Sequence, residues 1–305
     1  MHETHFFEQQ DGSRIAYNIL EPQKPDDIKK TPLVLIMGVY GVKEIFMGLK
    51  EELAKNQKVI VFDNRGIGES SVVSHYDPIS LDLMAQDTIA LIKYLGIKRF
   101  NLLGWCFGGI IAIYIASNLP LELELERLII CASSISGTFI LYDESRCNLM
   151  NLPDGPKNIQ EQKDKFMRTY NESFIDYMVN HPDIFDKYAE IHVTSNRPFE
   201  ILKRQWETIK ETNFLNILSE SKTINFPTLL IHGEEDVLVP IENSELLTRE
   251  ITNSKFISIP KAGHTFWFGA PESITFINEF LSRDGFGQLG QLSASYRRLS
   301  TISRL

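Results

Sequence analysis

Six short apolar runs, separated by longer stretches with helical periodicity, constrain the fold of this chain more than any other feature. Runs this apolar are typical of strands that helices cover on both faces, and their alternation with helices predicts a mostly parallel sheet. The predicted strands are Leu33–Met37, Val59–Asp63, Asn101–Leu103, Leu128–Ala132, Thr228–His232 and Phe256–Ile259. An N-terminal hairpin, Phe6–Gln10 and Arg14–Leu20 around Asp11 and Gly12, completes a predicted sheet of eight strands.

Helical patterns lie between these strands, so the predicted fold class is α/β with helices flanking the sheet. The patterns cover Val42–Lys55, Leu81–Leu95, Phe107–Asn118, Glu242–Ile251 and Pro271–Leu281.

Residues 137–225 break the alternation, because they are rich in large apolar side chains and contain no convincing strand. We predict a helical cap over the carboxyl edge of the sheet, where open α/β sheets bind ligands. A helical extension packed elsewhere is the alternative. The chain then divides into a first core part (1–136), the cap (137–225), a second core part (226–283) and a flexible tail (284–305) rich in Gly, Ser and Arg.

Composition narrows the classes of function. A hydrophobic content of 43% and a charged content of 23% are typical of a soluble globular protein. A net charge of −9 argues against nucleic-acid binding. Three irregularly spaced cysteines predict neither a disulfide framework nor a zinc site, and no motif implies an organic cofactor. The most apolar run, Leu102–Ile115, is too short to span a bilayer, so no transmembrane segment is expected.

The motif with most chemical content is Gly104-Trp105-Cys106-Phe107-Gly108. It ends a predicted strand and enters a helix, as does the sharp turn that presents a nucleophile in some hydrolases, where small neighbours two positions away prevent a collision. A helix N-terminus also favours a thiolate. By itself, Gly-x-Cys-x-Gly is equally compatible with a buried structural cysteine, but the strand before it and the helix after it favour a nucleophile.

A nucleophilic thiolate needs a base and a group that orients the base. His264 lies on a loop after the last predicted strand, and Asp236 follows the strand before it, with Glu234 and Glu235 as alternative acids. The chain order is therefore nucleophile, acid, histidine. The backbone N–H groups of Val39 and Phe107 are the predicted oxyanion hole.

Four motifs together resemble the α/β-hydrolase-fold family over about residues 5–283. They are Val61–Ser70, similar to the Asp-x-Arg-Gly-x-Gly-x-Ser loop of the family, Leu33–Gly38, Gly233–Asp236 and Ala262–His264. The resemblance favours Asp236 over Glu234 and Glu235 as the acid. The chain departs from the family at Met37, where a histidine is usual, and at Cys106, where a serine is usual; by resemblance, cysteine also occurs there in dienelactone hydrolases and polyhydroxyalkanoate synthases.

The resemblance implies an ester or thioester hydrolase, and the apolar cap predicts an apolar acyl substrate carried on Cys106. The family shares its fold among several activities, so two alternatives stay open. One is an acyltransferase that uses the same triad. The other is a ligand-binding protein that keeps the fold without catalysis.

The final residues, Ser303-Arg304-Leu305, resemble the Ser-Lys-Leu peroxisomal address. In a eukaryotic source we expect the peroxisomal import receptor to bind these residues. In any other source we expect the protein to be cytoplasmic. A fluorescent protein carrying residues 284–305 should then collect in peroxisomes by microscopy. Fluorescence that stays diffuse in the cytosol would contradict this expectation.

Overall fold

An eight-stranded, mostly parallel sheet forms the centre of the protein, as a computed structural model shows for residues 2–24, 30–74, 79–134, 155–212 and 224–282. The strands are β1 (His5–Glu8), β2 (Arg14–Leu20), β3 (Leu33–Ile36), β4 (Val59–Phe62), β5 (Arg99–Trp105), β6 (Glu124–Cys131), β7 (Thr228–Gly233) and β8 (Ser254–Ile259). Their order is β1-β2-β4-β3-β5-β6-β7-β8. Only the pairs β1–β2 and β2–β4 are antiparallel among the described strands, so the predicted fold class is confirmed.

The described helices, numbered along the chain, flank the sheet or lie within residues 155–212. They are α1 (Leu49–Ala54), α2 (Leu81–Tyr94), α3 (Phe107–Ser117), α4 (Ile159–Thr169), α5 (Glu172–Asn180), α6 (Pro182–Thr194), α7 (Phe199–Glu211), α8 (Glu242–Glu250), α9 (Phe266–Gly269) and α10 (Glu272–Leu281).

Two predicted boundaries were wrong. The single helix expected over Val42–Lys55 is a 3-10 turn at Lys43–Phe46 followed by α1, because Gly48 has a φ of 81° and interrupts the helical backbone. Strand β6 begins at Glu124, before the predicted Leu128. Only one face of its first residues is covered, so the sequence there alternates instead of being continuously apolar.

The reversal of strand order at β3 positions the site. The chain leaves β3, pairs β4 on one side, and returns through α2 to β5 on the other side. In open α/β sheets such a switch point opens a crevice at the carboxyl ends of the strands. Here it brings the loop after β3 against the turn after β5: a Cβ added to Gly38 would lie 2.9 Å from the Cβ of Cys106.

The described part of the predicted cap, residues 155–212, consists of helices α4 to α7 and contains no strand. The ends of the cap, at 137 and 225, stay predictions because residues 135–154 and 213–223 lie outside the described ranges. The predicted tail and Ser303-Arg304-Leu305 lie outside them too. Within the described ranges, no helix has the length and apolarity that a membrane crossing requires.

The loop after β4 is anchored by a buried ion pair. The Nζ of Lys43 donates to Oδ2 of Asp63 over 2.8 Å, and the backbone N–H groups of Lys43 and Glu69 donate to the same carboxylate over 2.7 and 3.0 Å. Both charged side chains are fully buried. The loop that resembles the Asp-x-Arg-Gly motif therefore acts structurally, by tying the exit of β4 to the segment after β3.

Replacing Lys43 by Met should lower the free energy of unfolding by about 3–5 kcal/mol, because the Asp63 charge stays buried without its partner. Urea unfolding followed by circular dichroism measures the loss. Lys55→Met removes an exposed lysine paired with Glu52 and should change stability by less than about 1 kcal/mol. Equal losses in the two variants would contradict a special role for the buried pair.

Candidate active site

Cys106 occupies a strained turn between β5 and α3. Its φ of 56° and ψ of −122° are unusual for a residue with a side chain. A Cβ on Gly104 would lie 2.2 Å from the carbonyl oxygen of Gly108, and one on Gly108 would lie 2.1 Å from the carbonyl oxygen of Ile36. The two glycines that flank Cys106 in the sequence are therefore required by the space available at the turn.

Two hydrogen bonds hold the backbone of Cys106 in this conformation. Its N–H donates to the carbonyl of Cys131 over 2.9 Å, and its carbonyl accepts from the Ser133 hydroxyl over 2.7 Å. Both partners lie at the end of β6, the neighbouring strand. The sheet itself thus fixes the direction in which the Cys106 side chain leaves the turn.

His264 and Asp236 meet beside Cys106. The Nδ1 of His264 lies 2.7 Å from Oδ2 of Asp236, and His264 and Cys106 line the same cavity. Burial alone would lower the pKa of His264, but the charges of Asp236 and Cys106 outweigh it and raise that pKa to about 10. The imidazole is therefore poised to carry a proton next to the sulfur.

The Asp236 carboxylate is completely saturated with hydrogen bonds. Its Oδ1 accepts from the N–H groups of Leu238 and Val239 over 2.8 and 2.9 Å, and its Oδ2 accepts from His264 and from His232 Nε2, the latter over 3.1 Å. Burial opposes ionisation, yet the charge of His264 and these hydrogen bonds hold the pKa of Asp236 well below its usual range. The side chain is therefore an anion that cannot easily rotate.

The structure distinguishes Asp236 from the two alternative acids. Glu234 accepts a hydrogen bond from Ser258 over 3.0 Å, and Glu235 lies 3.5 Å from the Asn171 amide. Neither glutamate is hydrogen-bonded to His264 among the described contacts, whereas Asp236 is.

His232 is a site residue that the sequence analysis missed. Its Nδ1 lies 2.7 Å from the Ser244 hydroxyl, and its Nε2 lies 2.9 Å from the Val239 carbonyl as well as near Asp236. This pattern assigns the proton to Nε2, which leaves Nδ1 to accept from Ser244. The available signal was its place in the His-Gly pair that ends β7, directly before the acid loop.

The loop of His264 is fixed against the rest of the site by Trp105. The indole N–H donates to the His264 carbonyl over 3.0 Å, and the two rings lie 4.7 Å apart between centroids. A Cβ on Gly233 would lie 2.3 Å from the carbonyl oxygen of Ala262, so no side chain fits between the end of β7 and the histidine loop. This contact brings Asp236 and His264 within hydrogen-bonding distance of each other.

The loop that carries Val39 packs against the turn that precedes Phe107, since a Cβ added to Gly38 would lie 2.9 Å from the Cβ of Cys106. Among the described residues, no acceptor takes a hydrogen bond from the N–H of Val39 or of Phe107. The neighbouring N–H of Tyr40 is already bonded to Oε1 of Gln205 over 2.8 Å, which makes Val39 the better donor on this loop. Gln205, which lies on α7 of the cap region, was not predicted.

Met37, the departure from the family pattern, is a packing residue of the same loop. It is fully buried, and a Cβ on Gly41 would lie 2.6 Å from its sulfur. Its carbonyl accepts from the Asn64 amide over 3.0 Å. The loop after β3 is therefore held without the usual histidine.

A cavity of about 660 Å³, including its open mouth, lies over Cys106 and His264. The cap region contributes much of its wall: Gln162, Lys165, Phe166, Tyr170, His192 and Arg197. The wall is aromatic in part, and it also carries two cationic side chains, Lys165 and Arg197.

A family model described as alpha/beta hydrolase fold matches residues 31–271, so the chain belongs to the α/β-hydrolase-fold family. Its members share this sheet and the site at the carboxyl edge, and they perform several chemistries.

Curated relatives are named as hydrolases. The chain is 28% identical over 234 residues to "Putative carbamate hydrolase RutD" of Pseudomonas syringae pv. syringae, which covers 76% of this chain and 86% of that protein. It is 24% identical over 266 residues to a poly(3-hydroxyalkanoate) depolymerase of Ectopseudomonas oleovorans, covering 87% and 88%. Among solved structures, an alpha/beta hydrolase fold protein from Chitinophaga pinensis superposes with a TM-score of 0.73 at 22% identity, over 93% of this chain and 98% of that one. That likeness supports the fold.

Replacing Asp236 by Asn should lower the pKa of His264 by at least about one unit, because the anion that stabilises the imidazolium is removed. Nuclear magnetic resonance of the ring nitrogens as a function of pH measures the change. Asp176→Asn, at an exposed position on α5, should leave the His264 pKa as it is. An unchanged His264 pKa in the Asp236 variant would contradict the electrostatic role given to this carboxylate.

The same shift links to stability with a definite sign. The pKa of His264 is higher in the folded chain, about 10, than its ordinary value of 6.5. Protonation of His264 therefore stabilises the fold fully below about pH 6.5, and this contribution is lost as the pH rises through about 10.

Proposed function

We propose that the protein hydrolyses an ester or thioester of an organic acid through a covalent acyl–Cys106 intermediate. One observation carries this proposal. Cys106, at a strained strand-to-helix turn, lines the same cavity as His264, whose Nδ1 lies 2.7 Å from Oδ2 of Asp236. A nucleophile, a base and an orienting acid at one cavity are the parts that acyl transfer requires.

In the first half of the reaction, the Cys106 thiolate attacks the acyl carbonyl carbon while His264 holds the proton that the thiol has given up. The carbonyl π electrons move to the oxygen, and the N–H groups of Val39 and Phe107 stabilise the resulting oxyanion. When the oxyanion collapses, the bond to the leaving group breaks. His264 passes its proton to the leaving alcohol or thiol, and the acyl group stays on Cys106 as a thioester.

In the second half, a water molecule takes the place of the leaving group. Neutral His264 removes one proton from this water as it attacks the thioester carbonyl. Collapse of the second tetrahedral intermediate breaks the C–S bond and releases the carboxylic acid. The thiolate and the imidazolium are then restored, and Asp236 stabilises the imidazolium throughout.

The curated relatives support hydrolysis as the reaction class. The depolymerase is named for a reaction on a polymer of hydroxyacid esters, and RutD for a reaction on a carbamate. Both kinds of substrate present an acyl carbonyl to the nucleophile. We further propose that residues 137–225 form the cap, since the described part of this segment lines the same cavity as Cys106.

Intact-protein mass spectrometry during reaction with aryl esters and acyl-CoA thioesters tests the nucleophile. The wild-type protein should gain one acyl mass that maps to Cys106 and then disappears as product forms. Cys106→Ala should lose the adduct and lower turnover by about 10³-fold or more. Cys147→Ala, which removes a different thiol, serves as the control.

Two other outcomes would redirect the proposal. Wild-type and Cys106→Ala proteins that are equally inert would favour a ligand-binding protein without catalysis. An adduct that clears only when an alcohol, thiol or amine acceptor is added would identify an acyltransferase.

A further inference from the structure

Arg197, which the sequence analysis did not single out, projects into the wall of the Cys106 cavity from the connection between α6 and α7. One Nη of its guanidinium donates to the Ile191 carbonyl over 2.9 Å, and the group lies 5.7 Å from the centre of the Tyr40 ring. Its Nε is buried and has no hydrogen-bond partner. The second Nη group makes no hydrogen bond to the described residues, so the guanidinium keeps donor capacity at the cavity that it lines.

No carboxylate neutralises this guanidinium among the residues that the structure describes. The contrast with Arg65 is direct, since Arg65 donates to both oxygens of Asp87 over 2.6 and 2.5 Å and also to Asp11. Arg65 is thus a buried arginine that the fold neutralises, whereas Arg197 is surrounded by tyrosine rings and backbone carbonyls.

A second cation, Lys165 of α4, lines the same cavity. Burial lowers the pKa of Arg197 to about 10, and burial together with repulsion by Arg197 lowers the pKa of Lys165 to about 8. Two like charges in one partly dry wall are costly for the fold. An anion bound in the cavity beside Arg197 would offset the cost of burying that guanidinium, because it would pair with it.

We infer that the substrate presents a carboxylate on its acyl part, which Arg197 binds with help from Lys165 while Cys106 attacks the acyl carbonyl. This inference rests on the proposed acyl transfer and narrows its substrate class from organic acids in general to acids that carry a second, anionic group. Arginine suits that role because its planar donors match the two oxygens of a carboxylate. The inferred acyl group therefore ends in a carboxylate, whereas the composition of the cap predicted an apolar acyl group.

A matched pair of substrates tests the inference. The 4-nitrophenyl ester of glutaric acid carries a free carboxylate, and the same ester with that carboxylate methylated does not. The wild-type protein should show a kcat/KM for the acid at least about tenfold above that for the methylated compound. Arg197→Gln should reduce this ratio at least about tenfold, and Arg197→Lys should restore part of it. Arg168→Gln, at an exposed position on α4, should leave the ratio unchanged.

A binding measurement separates this inference from the proposed function. Monomethyl glutarate should bind to Cys106→Ala, by calorimetry, at least about tenfold more tightly than to the double variant that also carries Arg197→Gln. A wild-type ratio near one, with Cys106-dependent cleavage of both esters, would overturn the anionic substrate and keep the hydrolase. If the wild-type protein cleaves neither ester but monomethyl glutarate still binds in an Arg197-dependent way, the anion site stands and the proposed hydrolase activity is overturned.

The phosphates of a coenzyme A leaving group share the same chemistry as a carboxylate. Butyryl-CoA and butyryl-N-acetylcysteamine distinguish the two sources, since they differ only on the leaving-group side. Similar kcat/KM values for the two thioesters support an anion on the acyl part. A preference for the CoA compound that Arg197→Gln abolishes would overturn that assignment and place the anion on the leaving group.

Discussion

The close crossing of three backbones beneath Cys106 is the constraint on which the site depends. The turn after β5, the start of α3 and the end of β3 approach until a single added methyl at Gly108 would overlap the Ile36 carbonyl. That approach leaves Cys106 no relaxed conformation, and the hydrogen bonds to Cys131 and Ser133 hold it in the strained one. Strain of this kind persists only where the surrounding structure over-determines it. In this molecule the end of β6 supplies that support for the backbone of Cys106.

The fold could be predicted from the sequence because the features that determine it are local in the chain. Apolar runs, a glycine on each side of Cys106 and turn residues after each strand all lie within a few positions of the feature they determine. The same locality explains the errors at α1 and β6. A single glycine with positive φ interrupts an otherwise helical pattern at Gly48, and a strand covered on one face lacks the continuous apolar signal. Neither effect is visible without the neighbours that cause it.

Only the site residues that follow the ends of strands could be predicted from the sequence. Chain order placed Cys106, Asp236 and His264 at one edge of the sheet, since carboxyl ends of parallel strands share an edge. The contributions of Gln205 and Arg197 depend on how residues 155–212 pack against the loop after β3. Both residues contact Tyr40, which lies more than 150 residues earlier in the chain. No periodicity or spacing encodes a contact of that range.

Tyr40 gives this long-range contact a further meaning. Its N–H is bonded to Gln205, and its hydroxyl donates to the Arg197 carbonyl, so both ends of one residue are tied to the segment above the cavity. The residue before it, Val39, carries one of the two donors proposed for the oxyanion. Any displacement of that segment therefore releases Tyr40 and, through the backbone, the direction of the Val39 N–H. The contacts of Tyr40 therefore couple the position of Arg197, which lines the cavity, to the direction of the Val39 N–H.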